Sequence, residues 1–281
     1  MTRKLFILLF LLPFSGFCQH DTTGFSVLRE YENELKIYAD TLRGFPDESR
    51  RLEASKAFRE TLSAALELPN SFNYPFDSIN KLISFIRTDD NRLRVITWVV
   101  IDDRHNFYNN GVVQYKVKKT IQTEWLTDNM PKDDSLFSEN DASTWIGCLY
   151  YQVQTIKRKG NVYYNILGYD GMNGTLNRKI VDVIWINKEN ELSFGAPLFK
   201  MSALDYTPQY RLIFHFSEVA TMLLRFEPKR NYLVYSHLGK ALSKLSDIPE
   251  YSVADGSFDY FLLKKGRWEN HGQLKDFSFQ E

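Results

Sequence analysis

The chain has 281 residues, 35 of them basic and 35 acidic, for a formal net charge of zero. It therefore lacks the basic excess expected of a general nucleic-acid or anionic-membrane binder. The length is enough for one large domain, or a domain with an appendage, built around an apolar core.

Arg3 and Lys4 precede an apolar run from Leu5 to Phe14, shorter than the about 20 apolar residues that span a bilayer. Residues 1–18 read as a secretory signal peptide, with Gly16 and Cys18 in the small positions before the cut and Gln19 as the mature N-terminus. Pro13 and Gly16 would break a buried helix placed there. Lipid anchoring at Cys18 is the alternative, although Phe17 stands where lipoprotein signals carry Gly or Ala. The ending Gly16-Phe17-Cys18-Gln19 resembles signal peptides of Bacteroidota, and the resemblance implies export to a Gram-negative periplasm or cell surface. With the leader removed Cys148 has no partner, so stability rests on the core rather than on a disulfide. No transmembrane helix is expected in the mature chain.

Two helices come next, a hairpin within residues 19–68. Phe25, Leu28, Tyr31, Leu35, Tyr38 and Leu42 follow the three-and-four spacing of one apolar stripe. Gly44 interrupts, Pro46 is placed to start the second helix, and Leu52, Phe58, Leu62, Ala65 and Leu66 form its stripe. Residues 69–75, with two prolines, mark a boundary. From there the period becomes two, giving a β domain over 76–281. Strands are expected at 82–86, 93–100, 145–155, 162–169, 179–186, 192–194, 211–216, 220–226, 232–235, 258–263 and around Trp268, joined by short polar turns. Residues 129–141 read as a long, mobile acidic loop.

Consecutive hairpins imply antiparallel pairing. The expected fold is mainly β, an antiparallel meander forming a β-sandwich, an open barrel or a propeller-like sheet, with the helical hairpin at its N-terminus. Leu93 to Trp98, Leu167-Gly168-Tyr169-Asp170-Gly171, Ile180-Val181-Asp182-Val183 and Asp255-Gly256-Ser257-Phe258-Asp259 make the body similar to uncharacterised exported proteins of Bacteroidota. The resemblance spans much of residues 80–260 and implies architecture, with no activity attached.

No Gly-x-Ser-x-Gly elbow, His-Glu-x-x-His, phosphate loop or dinucleotide fingerprint occurs, and neither a cofactor nor a metal is implied. The segment from Leu167 to Gly174 offers Asp170 and Asn173 as oxygen donors, but a Ca²⁺ loop needs several carboxylates, and the same residues build ordinary turns. Asp102, Asp103 and His105 read as a solvated loop, Cys148 as a small buried hydrophobe, and His215 and His237 as hydrogen-bonded strand histidines short of a zinc set. Tyr150, Tyr151, Tyr163, Tyr164 and Tyr169 are the more promising group. Adjacent strand residues face opposite sides of a sheet, so some of these rings should be exposed or line a pocket. They and Asp170 are the candidate binding residues. The function that follows is a non-enzymatic binding or structural module of the cell envelope, with an envelope protein or glycan as partner and no nucleic acid. The alternative is a hydrolase of envelope or extracellular polymer, which needs two of Asp170, Asp182 and Asp259 in one cleft.

Overall fold

A computed structural model describes residues 22–130, 136–202, 206–240 and 248–275. The leader, Cys18 and part of the acidic loop lie outside the described residues. Helices α1 (Thr22–Gly44) and α2 (Glu48–Glu67) pack antiparallel. On α1 the buried stripe is Leu28, Leu35, Ala39 and Leu42, and on α2 it is Ala54, Phe58, Leu62, Ala65 and Leu66. Leu52 is exposed, because at about 100° per residue it lies roughly 240° around the helix from Phe58. The second helix starts one residue after Asp47 rather than at Pro46: the Asp47 carboxylate accepts the Arg50 N–H at 2.9 Å and caps the helix.

The protein is mainly β, with antiparallel sheets behind the two helices. Strands β1 (Ser84–Arg87), β2 (Leu93–Ile101), β3 (Phe107–Val117) and β4 (Thr120–Leu126) form the first sheet in that order. The second sheet contains β5 (Leu149–Arg158), β6 (Asn161–Asp170), β7 (Leu176–Ile186), β8 (Leu192–Phe194) and β10 (Leu212–Ser217), ordered β10-β7-β6-β5 with β8 also on β7. The third contains β9 (Phe199–Lys200), β11 (Leu224–Glu227), β12 (Tyr232–Lys240), β13 (Ser252–Lys264) and β14 (Arg267–Gln273), ordered β11-β12-β13-β14-β9. Two pairings depart from the meander: β10 lies beside β7 rather than beside a chain neighbour, and β9 runs parallel to β14. No sheet closes into a barrel among the described residues.

The layers stack as helices, first sheet, second sheet, third sheet. Ile96, Trp98, Val100 and Val112 of the first sheet pack on the helices, while Leu93, Val95, Val113 and Tyr115 face the second sheet. In the second sheet Tyr164, Ile166, Ile180 and Ile184 meet the first sheet, whereas Tyr163, Leu167, Val181 and Val183 meet the third. The central strands β6 and β7 are thus largely buried on both faces, which is why they carry long apolar runs. Each large apolar side chain buried in this way contributes roughly 1.5–3 kcal/mol.

β3 and β4 are absent from the strands expected from the sequence. Asn109-Asn110-Gly111 has a composition common in turns, yet it lies inside β3. Gly111 is there because a Cβ would sit 2.9 Å from Leu126 Cδ1 and 3.1 Å from Thr97 Cγ2. Asp255-Gly256-Ser257 likewise falls within β13, as a bulge opposite His237 with Gly256 at φ +92. The described flank of the acidic loop is fastened. Asn140 pairs with Phe194, and the Leu136 carbonyl accepts the Tyr210 N–H at 2.7 Å. No helix among the described residues is long and apolar enough to cross a membrane.

Candidate functional site

The second sheet extends past the cover of the third at one end, and that end carries the candidate site. In β7 the side facing the third sheet reads Asn177, Lys179, Val181, Val183: two apolar residues in the shared core, then half-buried Lys179 and buried Asn177 toward the end of the strand. Pairing places Phe216 of β10 beside Asn177, and Tyr169 of β6 beside Lys179. β5 completes the floor through a bulge at Tyr151, where the register with β6 shifts between Tyr150 and Gln152. A bulge re-aims the inserted side chain. Tyr151 accordingly reaches the third sheet, donating its hydroxyl to the Leu224 carbonyl at 2.9 Å. The Gln152 amide, next along, clasps both the N–H and the carbonyl of Phe226 at 2.9 and 3.2 Å. These bonds cap the free edge of β11 and fix where the third sheet stops.

The resulting groove has a volume of about 410 Å³, within the size range of small-ligand sites. Tyr151, Tyr169, Phe216 and Met222 give it apolar walls, and Asn177, Lys179 and Glu218 its polar groups. The Tyr169 hydroxyl donates to Asn177 Oδ1 at 3.1 Å, which fixes that ring. Lys179 Nζ lies 5.4 Å from the centre of the Tyr151 ring and forms no ion pair among the described residues. Burial pushes the Lys179 amine below its usual pKa. Burial, then the charges of Asp170 and Glu218, push the Tyr169 hydroxyl up. A partly desolvated amine beside two aromatic rings is suited to an acidic group borne on a body that can stack.

The other tyrosines of the group are interior. Tyr164 is held between the first and second sheets with its hydroxyl on Asp90 at 2.8 Å, and Tyr163 lies in the core shared with the third sheet. Tyr150 is 1% exposed, accepting the Trp145 indole N–H at 2.9 Å. Alternation sends these rings to opposite faces, but both faces of a middle sheet are covered. Tyr150 and Tyr151 also border a groove of about 610 Å³ beside Leu42, Phe85 and Trp98, and another of that volume lies under Phe72 and Trp125. In the first, Arg43 donates to the Lys81 carbonyl, and in the second Thr123 accepts from Gln114.

Asp170 faces away from the aromatic groove. It is 3% exposed, pairs with Arg178 at 2.8 Å, and accepts from Asn109 and the Met172 N–H at 3.1 Å each, so it clasps the turn after β6. Asp182 pairs with Arg211 at 3.1 Å in the interior, and Asp259 bonds His237 at 2.7 Å on the third sheet. The three acids have three separate partners and line none of the grooves described. Asp102 accepts from Arg104, Asn106 and Tyr108 within its own turn, while Asp103 pairs with Arg51 of α2 at 2.7 Å. Cys148 is fully buried, and burial raises its thiol well above the usual value. Among the described residues no three His, Cys, Asp or Glu side chains converge to hold a metal ion.

No family model, curated protein or solved structure matches the chain. The reading of the site rests on its chemistry. Lys179 and Asn177 were not among the residues singled out from the sequence. Their signal is polar side chains at positions where the alternation of β7 calls for core.

Proposed function

We propose that this protein is an exported binding module of the cell envelope that holds an acidic glycan segment in the Tyr151–Tyr169–Lys179 groove. The observation that carries this reading is the meeting of two tyrosine rings with a half-buried lysine that has no carboxylate partner among the described residues. Sugar C–H faces stack on such rings, a uronate or similar anion takes the amine, and Asn177 and Glu218 are placed to bond hydroxyl groups. The separate engagement of Asp170, Asp182 and Asp259 favours binding over polymer hydrolysis, which needs paired carboxylates in one groove.

The test is an oligosaccharide array probed with the full chain, followed by affinity measurement on any hit. Tyr169→Ala is expected to weaken binding by about tenfold or more, as loss of a stacking anchor does. Ile37→Ser, on the exposed face of α1, should leave binding unchanged. Absence of acidic hits, or equal loss in both variants, defeats the proposal.

A further inference from the structure

Arg87 and Arg94 sit directly across the β1–β2 hairpin from each other. The row continues from Arg94 to Gln114 on β3 and Thr123 on β4. Like charges directly opposed on a sheet destabilise the pairing, and here burial sharpens the conflict. Arg94 is 2% exposed and Arg87 is half-buried. Every hydrogen-bond acceptor they have among the described residues is neutral. Arg94 donates to the Tyr74 carbonyl at 2.9 Å and to Gln114 Oε1; Arg87 donates to Asn91 Oδ1 at 2.7 Å and to the Phe72 carbonyl. The Arg94 Nε is buried without a partner among the described residues.

Neither guanidinium forms an ion pair among the described residues. The buried carboxylate of Glu32 is committed to the Tyr74 hydroxyl and the Ser78 N–H. Exposed Asp77 accepts a long 3.4 Å bond from Asn80. Phe72 and Phe76 add cation–π contacts, with the Arg94 guanidinium carbon 5.7 and 5.3 Å from their ring centres. Those contacts do not neutralise charge. Burial and the adjacent Arg87 push Arg94 down to about 9, so it stays cationic at neutral pH. The contrast with Arg211 is instructive, because that buried guanidinium has Asp182 against it.

Both arginines open on a half-enclosed cavity of about 340 Å³ with Asn73 and Asn80 amides and the apolar walls of Pro75 and Phe85. We propose that this cavity is an anion site that takes a phosphate or sulfate group of a small solute, with Arg87 and Arg94 as its charged ligands. Guanidinium charge suits the oxygens of such a group, and a dianion balances the two positive charges held beside the cavity. The cavity has room for the organic body of a monoester beside the anion.

The experiment is thermal unfolding of the full chain in inorganic phosphate, sulfate or chloride at matched ionic strength. At ten times the dissociation constant, phosphate should raise Tm by roughly 3–6 °C over chloride. Arg87→Gln, on a four-residue edge strand, should fold and lose that rise. Lys116→Gln, which contacts Phe72 but does not line this cavity, should keep it. Equal behaviour in phosphate and chloride overturns the proposal, as does an undiminished rise in Arg87→Gln. A parallel sedimentation with phosphatidylglycerol vesicles separates solute from lipid headgroup. Arg87-dependent vesicle binding without any rise in free phosphate would overturn the small-solute site.

Discussion

Replacing Asp182 with Asn removes the carboxylate that faces Arg211 while leaving its shape in place. Both side chains are 0% exposed, and Arg211 Nε meets Asp182 Oδ1 at 3.1 Å. Arg211 Nη1 also donates to the Ser138 carbonyl at 3.3 Å and to Asn140 Oδ1 at 3.0 Å. One guanidinium thus ties residues 138–140 to the middle sheet. Breaking a buried pair by removing one partner costs roughly 3–5 kcal/mol, because the remaining charge is left uncompensated. Among the described residues Asp182 Oδ2 is buried without a hydrogen-bond partner, so the carboxylate is not ideally housed and the cost should fall near about 3 kcal/mol. In urea this should move the unfolding midpoint down by roughly 1–2 M with an unchanged slope. The double replacement Asp182→Leu with Arg211→Met removes both charges and should lie within about 1 kcal/mol of the wild type. An Asp182→Asn protein as stable as the wild type refutes the reasoning, as does a double variant no better than the single one.

Gly111→Ala should cost about 1–3 kcal/mol in urea unfolding, since its Cβ would press on Leu126 and Thr97; no loss would mean that β3 and β4 are not packed as described. The Asp259 carboxylate, bonded to His237 Nδ1 at 2.7 Å, raises the His237 pKa above the usual 6.5. Because the folded value is the higher one, the stabilisation is complete below the unfolded pKa and lost as pH rises through the folded one. NMR titration should place the imidazole above 6.5 and return it toward that value in Asp259→Asn, and a wild-type value at or below 6.5 contradicts the bond. Cys148, fully buried with its thiol raised by burial, should react with a thiol probe only as the protein unfolds; prompt reaction in native buffer would place it elsewhere.

The helices and the β5–β8 hairpins are legible in the sequence because one apolar stripe or one run of strand formers lies between clear turns. The Leu192–Phe194 strand coincides with its expected bounds. β3 is hidden because Asn109, Asn110 and Gly111 imitate a turn, and their reason for being there involves Leu126 and Thr97, distant along the chain. The stacking of three sheets is hidden for a different reason. Tyr163 and Tyr164, or Val181 and Ile180, are equally apolar, so nothing local says that both faces are covered or by what. Of the five tyrosines singled out, only Tyr151, at its bulge, and Tyr169 border the aromatic groove. The opposition of Arg87 and Arg94 was within reach of the sequence, since the 89–91 turn sets the hairpin register that aligns them.

The most direct test of the binding-module account is calorimetric titration of wild type and Lys179→Met with an acidic oligosaccharide and its neutral counterpart. The account predicts a clear preference of the wild type for the acidic ligand, and that the preference disappears in Lys179→Met. Equal affinity of the wild type for the two ligands, or an acidic preference that survives loss of the amine, would contradict it.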